Sequence, residues 1–395
     1  MQERLGEMAH YRGHRILFAV QDELEAVSLI ALGIEAQLDF GVVQRARLNE
    51  ALIRRLYDEN VYVIDLNAEI KLPEASVAVT SQPGRISVLT SGTTGLPKLV
   101  PHSPASLNTF DKVRHLDAYQ WFVPYQIGSY AWYQMVALGL FVADQGLVLG
   151  RAEYLMESFE AALCNGQITA ISSTPTFWRQ AALSVDPNAF AASSLRMISL
   201  GGEIVDQAIL DYLKKTFPQA MIKHIYASSE AGAALVVSDG KAGFDVALLR
   251  EQGDKAVSVR IVDGKLYVRS RYGNSDAAGT WIDTGDLVEQ VGDRIYFRGR
   301  ADNLMINVGG QKVFPAVVEA QLLSHPDVIW AQVVAKKAPL MNYLPLAHVV
   351  LKPGVKPEQA EMELTQFCES CLPEYAVPRL WNFLDAVPLR ASLKS

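Results

Sequence analysis

Between Thr90 and Lys98 the chain reads Thr-Ser-Gly-Thr-Thr-Gly-Leu-Pro-Lys, the densest loop chemistry in the sequence. Glycine lets backbone N–H groups come close to an anion, hydroxyls donate hydrogen bonds, and a closing lysine adds charge. Thr90, Ser91, Gly92, Thr93, Thr94, Gly95 and Lys98 therefore have the parts of a polyphosphate cradle. A flexible surface turn is the alternative that composition leaves open. The run is not a P-loop, in which Ser or Thr follows Gly-Lys directly; here Pro97 precedes the lysine and Leu99 follows it. An ordinary P-loop ATPase or kinase is thus disfavoured.

Other reactive residue types are scattered rather than clustered. No Ser-His-Asp arrangement and no metal-type histidine cluster is present, and His102 and His224 read as structural residues. Cys368-Glu-Ser-Cys371 is a lone pair in a segment that reads as helix, and a structural zinc site needs two further ligands at matching spacing. With Cys164 as the third cysteine, a disulfide framework is disfavoured and a reducing cytoplasm is the expected compartment.

The elements that must position the loop follow from periodicity. Arg15 to Val20, Leu38 to Val43 and Val61 to Leu66 read as strands, with helical patterns over Glu23 to Ala36 and Leu48 to Asn60 between them. Such alternation implies parallel strands joined by crossover helices, with the ligand beyond their carboxyl ends. The rhythm continues from Arg85 through Tyr226, including a helix over Gln207 to Thr216. From Val257 short strands take over, and Val262-Asp-Gly-Lys265 reads as a hairpin turn. After Arg300 the segments alternate again. The fold class expected is α/β: a large multi-layer α/β amino-terminal domain with a β-rich subdomain over residues 1–301, plus a small mobile α+β carboxy-terminal domain over 302–395.

Composition narrows the function classes. The chain has 395 residues, half of them apolar, with 36 basic against 43 acidic residues and a formal charge of −7. Disorder is excluded, and a general nucleic-acid binder would carry a basic excess instead. The apolar stretch Tyr130 to Ala143 falls short of the roughly 20 residues that span a bilayer and reads as a buried helix, so no membrane span is expected. The run Ile16 to Val20 is too short for a signal-peptide core, which again points to the cytoplasm.

Ser91-Gly-Thr-Thr-Gly-Leu-Pro-Lys98 resembles the signature loop of the adenylate-forming ligases, the superfamily of acyl-CoA synthetases, nonribosomal-peptide adenylation domains and beetle luciferases. The later landmarks arrive in the family's order: Gly201-Gly-Glu203, Tyr226-Ala-Ser-Ser-Glu230, Asp283-Thr-Gly-Asp286, Arg298-Gly-Arg-Ala-Asp302, Gly309-Gly-Gln-Lys-Val-Phe-Pro315 with Glu319, and Pro388-Leu-Arg-Ala-Ser-Leu-Lys394. The resemblance covers Ile86 to the end, and the residues before it look like a shortened form of the family's first layer. Apolar surface left by that shortening could be covered by a second copy, a homodimer.

The resemblance implies ATP and Mg²⁺ as cofactors. It places Tyr226 against adenine, Gly201, Gly202 and Glu203 beside adenine and acyl group, and Ser229 in the same nucleotide motif. Glu230 becomes the magnesium ligand, Asp286 the ribose acceptor and Arg300 its partner, while Asp302 becomes the hinge of the small domain. Lys394 resembles the catalytic lysine that bridges carboxylate and α-phosphate, although Leu393 stands where the family has glycine. The implied reaction is acyl- or aryl-adenylate formation with release of pyrophosphate, then a thioester with CoA or with the phosphopantetheine of a carrier protein. The Gly309 to Pro315 run is closer in style to acyl- and aryl-CoA ligases than to peptide-synthetase domains. A catalytically impaired nucleotide-binding homologue with a regulatory or scaffold role is the rival reading.

In the family, the segments Phe122 to Gln134 and Ser172 to Trp178 would line the acid pocket, with Tyr125, Gln126, Tyr130 and Phe177 as its candidates. Both segments alternate aromatic and small residues, which suits a small apolar or aromatic acid. No aspartate lies between Tyr125 and Tyr130 to hold an α-ammonium group.

Overall fold

The computed structural model describes residues 8–65, 81–90, 97–109, 117–249, 257–274, 279–300, 305–308, 310–338 and 342–389. Ser91, Gly92, Thr93, Thr94, Gly95, Asp302 and Lys394 lie outside the described residues.

The first sheet holds β1 (Arg15–Val20), β2 (Asp39–Gln44), β3 (Val61–Ile64), β4 (Ile86–Thr90) and β5 (Lys98–His102) in the order β3-β1-β2-β4-β5. All pairs are parallel except β4 with β5. Helices α1 (Glu23–Glu35) and α2 (Glu50–Asp58) make the crossovers. Each starts at a side-chain cap: Asp22 accepts from the Glu25 amide and Asn49 from the Leu52 amide, both at 2.9 Å, satisfying donors that the first helical turn leaves orphaned. Strand β1 is buried along almost its whole length, as expected for a parallel strand covered on both faces.

Strands β6 (Tyr119–Val123), β7 (Gln145–Leu149), β8 (Ala170–Ser173), β9 (Met197–Leu200), β10 (Met221–Ser228) and β11 (Gly232–Val237) form the second sheet, ordered β11-β10-β9-β8-β6-β7. Short α3 (Pro104–Leu107), α4 (Tyr130–Phe141), α5 (Leu155–Cys164), α6 (Pro175–Ser184), α7 (Pro187–Ala191) and α8 (Gln207–Thr216) surround it. Helix α4 carries apolar residues all round and is buried accordingly, as its sequence predicts. It also joins the two sheets. The Tyr133 hydroxyl accepts from the Val42 amide at 2.6 Å and lies 3.2 Å from the Val42 carbonyl, filling a gap where β2 and β4 have diverged. Gly128 makes this approach feasible: its φ is +77°, and a Cβ there would stand 2.3 Å from the Val42 carbonyl oxygen.

The β-rich subdomain is an antiparallel sheet of β12 (Phe244–Asp245), β13 (Val257–Val262), β14 (Lys265–Ser270), β15 (Trp281–Val291) and β16 (Arg294–Arg300). Its expected hairpin is present, with Asp263 and Gly264 at φ of +50° and +73°, the left-handed pair that matches strand twist. The carboxy-terminal unit has β17 (Ile306–Val308), β18 (Gln311–Val313), β19 (Val328–Ala338), β20 (Asn342–Leu351) and β21 (Leu380–Phe383) with α9 (Pro315–Ser324) and α10 (Pro357–Cys371) on its core. Leu183 of α6 packs against Trp330, Val350 and Val387, tying this unit to the second sheet. The α/β class, the β-rich subdomain and the small α+β unit are those that the alternation of patterns predicts. The three cysteines are free, and no helix among the described residues is long and apolar enough to cross a membrane.

Candidate active site

The described ends of the expected phosphate loop, Thr90 and Lys98, belong to β4 and β5, which pair antiparallel. Thr90 pairs with Lys98, and the Thr90 hydroxyl donates to the Lys98 carbonyl at 3.4 Å. Two arginines of the first layer grip the stem on opposite sides of the loop. Arg47 donates from Nη2 to the Leu89 carbonyl, and Arg55 from Nη1 to the Pro97 carbonyl, each at 3.1 Å. Arg55 also pairs with Glu59, whereas Arg47 has no carboxylate partner among the described residues and its Nη1 is buried without a hydrogen bond. Burial pushes the Arg47 guanidinium pKa below its usual value. Sequence reasoning missed both arginines because neither belongs to a motif; each is placed by how the first sheet stacks against the hairpin.

Residues of the later motifs converge although they are far apart in sequence. The Tyr226 hydroxyl donates to Asp286 Oδ2, and Arg300 Nη1 lies 3.7 Å from Asp286 Oδ1. Burial first, and then the Asp286 charge, pushes the Tyr226 phenol well above its usual pKa, so it remains a donor. Its ring stacks on Phe297 at 4.8 Å between centroids, which leaves the opposite face for a flat partner. These groups line a cavity of about 520 Å³ whose far wall is α9, through Ala316, Ala320 and Ser324.

A larger cavity of about 820 Å³ lies on the other side of β10. The strand separates the two by its alternation: Tyr226 and His224 face the smaller cavity, while Lys223, Ile225 and Ala227 line the larger, apart from overlap at the rim. The larger cavity is lined by the polar residues Thr90, Lys98, Ser229 and Glu230 and by Gly201 and Gly202, with Arg300 lining both cavities. Its apolar body includes Trp121, Tyr130, Met135 and Met197. Tyr125 and Tyr130 line it; the Tyr125 hydroxyl is 3.2 Å from Ser172 Oγ, and the buried Tyr130 hydroxyl has no hydrogen-bond partner. Lys223 adds a cation to the wall without a salt bridge or hydrogen bond among the described residues, a feature that sequence reasoning also missed.

Two expected positions are corrected. Phe177 is fully buried among Phe122, Phe159 and Trp178, because it lies in the first turn of α6 on the face turned to the core. Gln126 does not line the cavity; its amide donates to Gln44 Oε1 at 3.2 Å and so joins the loop to the first layer. Glu203 lines the smaller cavity together with Tyr226 and Asp286, and its carboxylate accepts from the Thr176 amide at the start of α6 at 3.0 Å, a favourable place for an anion.

The arrangement fits Mg-ATP by its donor set. Mg²⁺ commonly takes one or two carboxylates and fills its shell with phosphate and water, and the exposed Glu230 supplies such a carboxylate beside Lys98 and Thr90. No group of three or more His, Cys, Asp or Glu residues suited to hold a metal by itself occurs among the described residues. Asp286 offers a ribose hydroxyl an acceptor already held in place by the Tyr226 hydrogen bond and the Arg300 ion pair.

The AMP-binding enzyme family model matches residues 9–270, and the model of its carboxy-terminal domain matches 317–394. The chain belongs to the AMP-binding enzyme family. It is an acid-activating, adenylate-forming ligase within that family. A 2-succinylbenzoate–CoA ligase of Geobacillus kaustophilus is 27% identical over 418 aligned positions, covering 94% of this chain and 80% of that protein. Among solved structures, a benzoate CoA ligase from Burkholderia xenovorans superposes with a TM-score of 0.75 at 18% identity, covering 99% of this chain and 90% of the other. An anthranilate CoA ligase in complex with anthranoyl-AMP gives 0.72 at 19% identity, with coverages of 98% and 87%. These last two likenesses establish the fold of an AMP-binding enzyme; the chemistry of the acid is a separate matter.

Proposed function

We propose that this AMP-binding enzyme activates an aromatic or apolar carboxylic acid and passes it to CoA. The carboxylate oxygen attacks the α-phosphorus of ATP, a new O–P bond forms, and pyrophosphate leaves. A thiolate then attacks the acyl carbon, the S–C bond forms, and AMP departs. The observation that carries this reading is the continuity of one cavity, lined both by Thr90, Lys98 and Glu230 and by an apolar, aromatic body.

In this reading Tyr226, Asp286 and Arg300 hold the nucleoside, and the residue 90–98 hairpin holds the phosphates with Ser229 and Glu230 opposite. Bound Mg²⁺, held by Glu230, would neutralise charge on the phosphates. Lys394 supplies positive charge where negative charge develops in the transition state, and Asp302 is the hinge at the boundary between residues 1–301 and 302–395. CoA is favoured over a carrier-protein arm as acceptor by the names of the relatives and by the Gly309 to Pro315 run.

Lys223 refines the acid. A cation without a partner in a mostly apolar wall suits a second carboxylate, such as the one in 2-succinylbenzoate, at the end of the cavity away from the phosphates. Along β10, Lys223 is four residues from Ala227, roughly 13 Å at the rise of a strand. Acid-dependent ATP–pyrophosphate exchange with Mg²⁺, over fatty, amino and aryl acids including benzoate and 2-succinylbenzoate, tests the proposal. Exchange with an aryl acid, and its selective loss for the dicarboxylate in Lys223→Met, is expected. Exchange with amino acids alone would overturn it. ATP binding without exchange for any acid would favour the impaired homologue, a reading to which the named relatives lend no support.

A further inference from the structure

His102 ends β5, the strand that returns from the phosphate loop, and its side chain is wholly buried. Nε2 lies 2.8 Å from the Ser229 carbonyl oxygen and Nδ1 lies 3.1 Å from Ser106 Oγ. A carbonyl can only accept, so Nε2 carries the hydrogen. Burial lowers the pKa to about 4 and keeps the ring neutral, so Nδ1 is an acceptor for the Ser106 hydroxyl, whose one hydrogen it shares with the Ser103 carbonyl, also at 3.1 Å. Ser106 is itself fixed, because it forms a reciprocal cap with Ser103 at the start of α3.

The other end of this strut matters for chemistry. The Ser229 carbonyl belongs to the peptide that enters Glu230. The Glu230 carbonyl belongs to the peptide that leaves it, and this accepts from the Asn274 amide at 2.9 Å. With both flanking peptides pinned, the direction of the Glu230 Cα–Cβ bond is set before any ligand arrives. His102 also lies 5.3 Å from the ring of Tyr130, which lines the same cavity.

We infer that His102 is a positioning residue, which by donating to the Ser229 carbonyl fixes Glu230 relative to the hairpin on which the phosphates bind. The inference rests on the reading of Glu230 as the Mg²⁺-side carboxylate. Its physical basis is that a reacting or ligating group displaced by about 1 Å can cost up to ~100-fold in rate.

Two replacements separate this role from simple core filling. In His102→Gln the amide nitrogen reaches the place of Nε2 and keeps the bond to Ser229; in His102→Asn the amide reaches only Ser106. Both lose the ring against Tyr130. Two quantities are read: the Mg²⁺ concentration for half-maximal ATP–pyrophosphate exchange, and ligand-free hydrogen exchange of the Glu230 and Ala231 amides.

His102→Asn is expected to raise the Mg²⁺ requirement about 10-fold and speed amide exchange, with His102→Gln staying within about twofold of the parent protein. If both variants lose activity only in step with melting temperature, with the Mg²⁺ requirement and amide exchange unmoved, His102 is a core residue and the inference fails. Should neither variant fold, Ser106→Ala removes the hydroxyl that holds the ring at Nδ1. It is expected to raise the Mg²⁺ requirement about threefold, and no change overturns the inference. Parent protein without any exchange activity would sink the ligase reading instead, while the amide-exchange contrast would still decide whether His102 holds the turn.

Discussion

The hydroxyl of Tyr226 donates a hydrogen bond to the carboxylate of Asp286, joining two motif residues sixty positions apart. Asp286 is thus held by Tyr226 on one side and by an ion pair with Arg300, its cross-strand neighbour on β16, on the other. Replacing Asp286 by alanine removes the charged acceptor and is expected to weaken ATP binding by more than ~1 kcal/mol in calorimetry. Tyr226→Phe keeps the ring on Phe297 and should stay within about threefold of the parent affinity. Equal affinity for Asp286→Ala and the parent protein would show that the ribose is held elsewhere.

Lys394 carries a prediction that follows from its motif alone. If its charge stabilises the adenylation transition state, Lys394→Ala lowers the exchange rate by about 10²- to 10³-fold while ATP still binds. An unchanged rate removes it from the mechanism.

Glu230 faces the cavity as an exposed carboxylate. Glu230→Gln keeps size and polarity but removes the charge that a hard cation prefers. Its exchange activity should need several-fold more Mg²⁺, with melting temperature unchanged. A parent-like Mg²⁺ titration would show that the metal is held without it.

Arg47 offers a test in which function and stability move apart. Its guanidinium is partly buried, lacks a carboxylate partner among the described residues, and holds the stem of the phosphate hairpin. Exchanging a buried, uncompensated cation for methionine is commonly neutral or stabilising. Arg47→Met should therefore melt at or above the parent temperature, yet show an apparent KM for ATP raised about 10-fold, since a hydrogen bond from a charged group contributes roughly 1.5 kcal/mol or more. A lower melting temperature with unchanged KM would make Arg47 a purely structural residue.

Glu319 gives a pH signature in the carboxy-terminal unit. Burial first, with the Glu203 carboxylate adding to it, raises its pKa from 4.5 to about 7, against the opposing pull of the Val333 amide, which donates to it at 2.7 Å. The folded state then binds a proton that the unfolded state releases at lower pH. Stability from this group is complete below pH 4.5 and is lost as pH rises through about 7. Glu319→Gln, which can still accept from Val333, should flatten the fall of melting temperature across that window. The same slope in both proteins would assign it to other groups.

Much of this molecule is written locally. The alternation of apolar runs, the caps Asp22, Asn49 and Asp206 and the Asp263-Gly264 turn are short-range signals, so strands and helices can be read without knowing their neighbours. The motifs likewise single out the residues proposed to meet a nucleotide, since Gly, Ser, Thr and Lys between Thr90 and Lys98 have the parts of a phosphate cradle. What folding alone decided is which side chains face the cavity. Phe177 and Tyr130 are both aromatics near helix starts, yet one is sealed in the core and the other forms a wall. Arg47, Lys223 and the His102 link to Ser229 depend on how one sheet stacks on the next and on which face of β10 a residue falls. Burial and hydrogen bonding between residues over a hundred positions apart are properties of packing, and no local pattern in a chain encodes them.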